Sequence, residues 1–373
     1  MRSNRIVRPS LSQGRAARPG VGMNMQKIAL EEHFMSPGLM EYWQPTMADV
    51  PRPIYEAIYA RVTDFGDLRI GEMEKAGVGL SVLSIAGPGV QVEPDAKRAT
   101  YKAAESNDFL AAEVALHPKS FMGFAHIALQ DPAAAAVELE RCVKQLGFKG
   151  AMINGQTLGH YLDERQFDPF WAKAEELNAP IYLHPADPVQ MYATFGQYKE
   201  LQRATWGWGV ETGTHALRMI FGGVFDRFPK ATLLLGHMGE SLPYMLWRLD
   251  SRAKLYGVKL NKELSQYVRD NIAVTISGMY SPEPLNCAIA ALGASRVMFS
   301  ADYPFESVAE AGHFMDSVAL DEKVRADRLL KVGINLNSPV AKINTEGGAV
   351  TGIQRLEGGA IHGAVTQRTG REK

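Results

Sequence analysis

The sequence predicts an α/β fold, a (β/α)8 TIM barrel. Two observations carry this: eight apolar runs of strand length recur between residues 27 and 301, and each is followed by a stretch of helical character. Near-continuous apolar strands need helices over the sheet, which favours parallel pairing with helices outside. The competing α/β arrangement, an open doubly wound sheet, would place a glycine-rich phosphate loop after its first strand. Glu31-Glu32-His33-Phe34 stands there instead.

In order, the predicted strands are 27–32 (KIALEE), 79–85 (GLSVLSI), 121–127 (FMGFAHI), 149–153 (KGAMI), 180–184 (PIYLH), 231–235 (ATLLL), 272–276 (IAVTI) and 296–301 (RVMFSA). The clearest helix runs from Asp131 to Leu146. Asp131 is its N-cap and Pro132 its first residue, Leu139, Val143 and Leu146 share a face, and Gly147 ends it. A second helix is expected over 210–226, with His215 inside it, and His237-Met238-Gly239-Glu240 is expected to open a third.

The two ends differ from this pattern. Residues 1–25 carry five arginines and no acid among Ser, Gly and Pro, which reads as a disordered, dispensable leader with Met23 or Met25 as a natural-looking start. The barrel is assigned to 26–332. Residues 333–373 form a glycine-rich, atypical C-terminal extension, read as a small β meander or a loose tail.

Composition narrows the function classes. With 46% apolar and 22% charged residues the chain is an ordinary globular protein. Its 40 Lys+Arg against 41 Asp+Glu leave no basic field for a nucleic acid, so a small ligand is expected. The longest apolar runs fall well short of the ~20 residues that span a bilayer. Cys142 and Cys287 are the only cysteines, too few for a disulfide framework, and a cytoplasmic location is expected.

In a TIM barrel the active site collects at the C-terminal strand ends, so the polar residue closing each apolar run is the informative one. These are Glu31 and His33 after the first strand, Asn154 after the fourth, His184 after the fifth, His237 after the sixth and Asp302 after the eighth. Strand side chains alternate, so Glu31 and His33 share a face and Glu32 takes the other. Two imidazoles and two carboxylates from three strands can then converge on one divalent metal, which suits Zn2+, Mn2+ or Fe2+ with a position left for water or substrate. His237 and Glu240, three apart, can act as an oriented acid/base pair. Arg248 and Asn154 are candidate substrate-binding residues, and Tyr303 and Phe305 beside Asp302 are candidates for an aromatic wall. The remaining histidines, His117, His126, His160, His215, His313 and His362, are read as structural. Lys149 begins rather than ends the fourth run, so one metal is favoured over two. There is no GxGxxG after a strand, no P-loop, no GxSxG elbow and no HExxH.

Four motifs carry a resemblance: ALEEHF at 29–34, YLHP at 182–185, LGHMGESLPYMLWRLD at 235–250 and FSADYPFE at 299–306. Together they resemble the amidohydrolase-2 family of the amidohydrolase superfamily, and within it the nonoxidative ortho-hydroxybenzoate decarboxylases, such as γ-resorcylate and 2,3-dihydroxybenzoate decarboxylase. The likeness runs from about 26 to 320. It implies an amidohydrolase-type barrel, metal ligands at Glu31, His33, His184 and Asp302, an acid/base pair at His237 and Glu240, and Arg248 and Phe305 near the substrate. It also implies a carboxy-lyase acting on a small aromatic carboxylic acid with one Zn2+ or Mn2+ per chain, Mg2+ being a third candidate, and no organic cofactor. A homodimer or homotetramer is expected, with no nucleic acid or membrane partner. The stretch 155–171 is more like the 5-carboxyvanillate decarboxylases, and the chain departs from the family after about 325. The alternatives are a metal-dependent hydrolase of a small cyclic ester or lactone, and a non-catalytic barrel kept for binding or assembly.

Overall fold

Parallel pairing runs through nine short strands: β1 (Lys27–Phe34), β2 (Val78–Ile85), β3 (Phe121–Gly123), β4 (Ala125–His126), β5 (Ala151–Asn154), β6 (Ile181–His184), β7 (Leu233–Leu235), β8 (Ile272–Thr275) and β9 (Val297–Met298). The computed structural model describes residues 27–320 and the backbone of two further strands, β10 (Ala341–Glu346) and β11 (Ala349–Arg355). The expected leader at 1–25 and the boundary at 332 lie outside the described residues.

The ladder order is β1-β2-β3 and β4-β5-β6-β7-β8-β9. Backbone hydrogen bonds bridge both gaps between these two sheets. At Phe124, where the third predicted strand is split into β3 and β4, the Phe124 amide donates to Leu83 (2.8 Å) and the Ala125 amide to Gly150 (2.8 Å). At the other gap the chain beyond β9 pairs with β1: the Asp302 amide donates to the Glu31 carbonyl (3.0 Å) and the His33 amide to the Tyr303 carbonyl (2.6 Å). The eight predicted strands thus form a ring in chain order.

The ring is plugged. Leu30, Val82, Phe124, Met152, Tyr182, Leu234, Ala273 and Met298, one residue per predicted strand, form a buried cluster of their own. A larger apolar shell lies outside the strands, between them and the helices. Side chains alternate along a strand, so the residues two positions beyond the plug also face inward: Ser84, His126, Asn154, His184 and Thr275. In β1 the register shifts between Ala29 and Glu32, where three residues oppose two of β2. That bulge lets Leu30 join the plug while Glu31 and His33 still point inward above it.

The helices before β7 follow their sequence signals with one difference. Helix Pro132–Lys144 is capped by the Asp131 carboxylate, which accepts from the amides of Ala133 and Ala134 (both 3.1 Å), and it buries Leu139 and Cys142. The helix expected over 210–226 is instead two, Gly207–Phe221 and Val224–Arg227, because Gly223 between them takes a left-handed φ of +69°. In the tail, β10 and β11 pair as an antiparallel hairpin. No helix among the described residues is long and apolar enough to cross a membrane.

Two of the histidines read as structural hold loops from within. His215 Nε2 accepts the Leu162 amide (2.9 Å) and His126 Nε2 accepts the Val90 amide (2.9 Å). Burial lowers both imidazoles from 6.5 to about 3. The unfolded chain therefore binds two protons that the folded chain does not. Stability is fully present above pH 6.5 and falls on acidification towards pH 3, with a limiting slope of roughly 1.4 kcal/mol per pH unit for each histidine. Melting temperatures measured from pH 7 to pH 4 should fall less steeply for His215→Gln than for the unaltered chain; parallel curves would contradict this.

Candidate metal centre and active site

Glu31 is fully buried, and its two oxygens are treated differently. Oε2 accepts from the hydroxyls of Tyr182, Ser277 and Thr275, the last at 3.5 Å, whereas Oε1 has no hydrogen-bond partner. Gly236 makes room for this arrangement, since a Cβ there would lie 2.8 Å from Glu31 Oε2. The free oxygen faces His184, whose Nε2 is 3.8 Å away.

Asp302 enters from the seam that closes the barrel. Its Oδ1 lies 3.2 Å from His33 Nε2, yet neither atom has a hydrogen-bond partner. The His33 and His184 rings meet edge to face at 4.7 Å. Ligand atoms of Glu31, His33, His184 and Asp302 all lie within 4.8 Å of one another. Unpartnered atoms on a buried Glu, His and Asp are what a cation would satisfy, and this mixed N/O donor set suits a borderline divalent ion. The group can hold one metal ion.

Electrostatics sorts these groups. Burial raises the Glu31 carboxyl above its ordinary 4.5, and the charge of Asp302 adds to that, while the imidazoles of His237 and His33 oppose it. Burial would also raise Asp302, but contacts with His237 and His33 outweigh it and hold its carboxyl well below 3.8. Burial pushes His184 down to about 3, with the neighbouring His33 adding to the effect, so it stands ready as a neutral ligand. His237 is the opposite case. Burial disfavours its charge, but Glu240 and Asp302 outweigh burial and carry it well above 6.5. These surroundings favour a charged imidazole at His237 and an ionised carboxyl at Asp302.

His237 and Glu240 do not open a right-handed helix. Five consecutive residues, His237, Met238, Gly239, Glu240 and Ser241, have φ between +49° and +83°, and the regular helix begins at Leu242. Only glycine adopts such angles freely, so each of the other four stores strain on the order of 1–3 kcal/mol. Gly239 is further required by space, because a Cβ there would lie 2.7 Å from Val274 Cγ1. The left-handed turn puts His237 Nδ1 at 2.7 Å from Glu240 Oε1 and His237 Nε2 at 3.6 Å from Asp302 Oδ2.

The other expected site residues separate into two groups. Phe305 lies beside the cluster, its ring 5.6 Å from that of His33. Asn154 ends β5 opposite His184 in the ladder, buried, with neither amide atom hydrogen-bonded. Tyr303 and Arg248 are not brought there. Tyr303 packs into the outer shell beneath Arg69, whose guanidinium carbon is 4.7 Å from its ring centre, because it follows Asp302 directly and turns to the other side of the wall. Arg248 is exposed on helix Leu242–Leu255 and makes no hydrogen bond or ion pair among the described residues. Sequence reasoning missed Tyr182, Thr275 and Ser277, which orient Glu31. Trp208, whose aromatic character stood out in the sequence, has its ring 6.5 Å from that of His184. Tyr182 had a usable signal: it stands two before His184, hence on the same face.

Residues 67–329 match the amidohydrolase family. The chain belongs to that family. Its barrel is of the amidohydrolase type, as the solved structures of family members also indicate. The γ-resorcylate decarboxylase of Rhizobium radiobacter is 40% identical over 321 residues, 82% of this chain and 95% of that enzyme. A 2,6-dihydroxybenzoate decarboxylase, solved in complex with 2,6-dihydroxybenzoate, has a TM-score of 0.76 at 37% identity, covering 81% of this chain and 96% of that one. A dihydroxybenzoic acid decarboxylase from Polaromonas sp. JS666, solved with manganese and the inhibitor 2-nitroresorcinol, gives 0.76 at 38%, covering 82% and 94%.

Metal binding to the folded state alone should stabilise it by about 2.7 kcal/mol when free metal is a hundredfold above Kd. Adding Mn2+ to chelator-stripped protein is therefore expected to raise the melting temperature, and His184→Ala should abolish most of that rise. An equal rise in the variant would remove His184 from the ligand set.

Proposed function

We propose that this protein catalyses the metal-dependent, nonoxidative decarboxylation of an ortho-hydroxybenzoate, of the 2,6-dihydroxybenzoate type, to the phenol and CO2. The observation that carries the reading is the convergent group of Glu31, His33, His184 and Asp302 with His237 Nε2 3.6 Å from Asp302 Oδ2. The relatives' own substrates and bound manganese give the class of acid and favour Mn2+, with Zn2+ as the alternative ion.

The chemistry requires protonation of the ring carbon that bears the carboxylate, since direct loss of CO2 would leave an aryl carbanion. Once that carbon is protonated, its bond to the carboxylate breaks, the electron pair returns to the ring, and aromaticity is restored. A divalent ion at the four ligands would supply charge stabilisation for the substrate's carboxylate and ortho oxygen. The chain's residues supply the proton. His237 holds it at Nε2, with Glu240 on Nδ1 keeping the imidazolium charged and oriented. Asp302 Oδ2, next to that nitrogen, relays it to the ring carbon; a carboxyl of low pKa is a strong acid once it carries a proton. Asn154 and Phe305 are assigned to substrate binding, one as a buried hydrogen-bonding amide and the other as a ring beside the ligands. Tyr303 and Arg248 are left out of that set by their positions.

Assembly into a homodimer or homotetramer is proposed through helix Leu242–Leu255, where Tyr244 (80% exposed) and Trp247 (78%), three apart and so on one side of the helix, present two exposed aromatic rings. Free Cys142 and Cys287 support a reducing, cytoplasmic setting.

Mn2+-loaded protein should release CO2 from at least one of 2,6-dihydroxybenzoate, 2,3-dihydroxybenzoate, salicylate and 5-carboxyvanillate, with the matching phenol in equal amount. Bound metal without CO2 from any of them would overturn the proposal. Asp302→Asn should abolish turnover in a folded protein, and His237→Gln should lower kcat by about 10²–10⁴-fold; full activity in either would remove it from the proton path. Trp247→Glu should shift the mass measured by light scattering towards the monomer, and an unchanged mass would place the interface elsewhere.

A further inference from the structure

Two buried ionisable groups on the outer side of the barrel wall take no part in the chemistry above. Glu32, 2% exposed, stands between Glu31 and His33 on the opposite face of β1, and its Oε1 accepts from the Ala301 amide (2.9 Å) and the Ser300 hydroxyl (3.2 Å). Arg69, 1% exposed on helix Asp67–Lys75, donates through Nη2 to the His33 carbonyl (2.7 Å) and through Nε to the Asp64 carbonyl (2.8 Å). Its guanidinium also covers the Tyr303 ring. The residue before Asp302, the residue after it and the backbone of His33 are therefore each gripped by one of these two side chains.

Asp302 needs such a grip, because it is held at φ +72°, in the left-handed region that strains a residue with a Cβ. Burying a carboxyl, pushed up to about 8 by that burial, and a guanidinium is itself expensive, and apolar residues of the same volume would pack this wall more cheaply. Packing alone does not account for them.

We propose that Glu32 and Arg69 are positioning residues that fix Asp302 and His33 at the spacing at which both bind the metal. The proposal rests on the reading of Glu31, His33, His184 and Asp302 as a metal site. Glu32 sets the chain entering Asp302 through the 300–301 backbone and hydroxyl. Arg69 ties the His33 carbonyl to the ring that follows Asp302, so both sides of the closing seam are clamped from outside. Partners of this kind around metal ligands commonly set affinity by 10–100-fold.

The test is Mn2+ affinity, measured by electron paramagnetic resonance titration of the full chain at a temperature where every variant is folded. Glu32→Ala and Arg69→Met should weaken Mn2+ binding by about 10–100-fold. Glu32→Gln, which keeps an oxygen acceptor for the Ala301 amide, should recover most of the loss. Asn271→Ala is the control for lost stability. Its amide bonds the Pro229 and Ala231 carbonyls at the far end of the barrel, so removing it should lower the melting temperature and leave Mn2+ affinity unchanged. If Glu32→Ala does not fold, Arg69→Lys carries the test, since it keeps the charge, loses the fork and should still weaken binding. Undiminished affinity in the folded Glu32 and Arg69 variants would overturn the positioning role while leaving the metal site standing. Absence of Mn2+ binding by the unaltered chain would remove the metal reading and this proposal together.

Discussion

The structure is organised around one electrostatic problem: two carboxylates and three imidazoles share a small volume at one end of the barrel, and the innermost, Glu31, has no access to water. Such a cluster is unfavourable unless each atom is paired or a cation is present. Three hydroxyls take up one Glu31 oxygen, and Glu240 takes up one nitrogen of His237. The atoms left over on Glu31, His33 and Asp302 are those that converge. The donor set is thus defined as much by which atoms are already satisfied as by which residues are present.

Backbone geometry does the rest of the positioning. The bulge in β1 aims Glu31 and His33 inward above an apolar plug, and the seam between β1 and the chain beyond β9 delivers Asp302 to them. Left-handed φ values are concentrated where the chemistry is proposed, in the run from His237 to Ser241 and at Asp302. Strain of this kind persists only where the surroundings over-determine it. Here a close-packed ring of short parallel strands provides that constraint, and it fixes the direction of each side chain at the strand ends more tightly than a loop could.

Much of this was legible in the sequence. The eight strands could be read because near-continuous apolar runs of strand length separated by helical stretches repeat in register with the fold, and Glu31, His33, His184 and Asp302 could be read because polar residues at the ends of apolar strands stand out. The pairing of His237 with Glu240 was readable from their spacing, but the turn that achieves it was not, since five successive positive φ values follow from tertiary packing and only Gly239 signals them. Tyr303 was misjudged because adjacency along the chain does not place two side chains on one face of a wall. Arg248 was assigned from its charge two turns along the helix after His237 and from motif likeness, and a single chain leaves it in solvent. The hydroxyls around Glu31 escaped notice because Tyr182, Thr275 and Ser277 lie on strands distant in sequence from β1 and resemble ordinary core residues.

The central claim is that a proton stored at His237 reaches the ring carbon that loses CO2. Turnover of 2,6-dihydroxybenzoate in D2O by the Mn2+-loaded protein, with the product read by mass spectrometry and NMR, addresses it directly. The account predicts one equivalent of CO2 and resorcinol carrying a single deuterium at the carbon that bore the carboxylate. Resorcinol without deuterium at that carbon, or consumption of the acid without release of CO2, would contradict it.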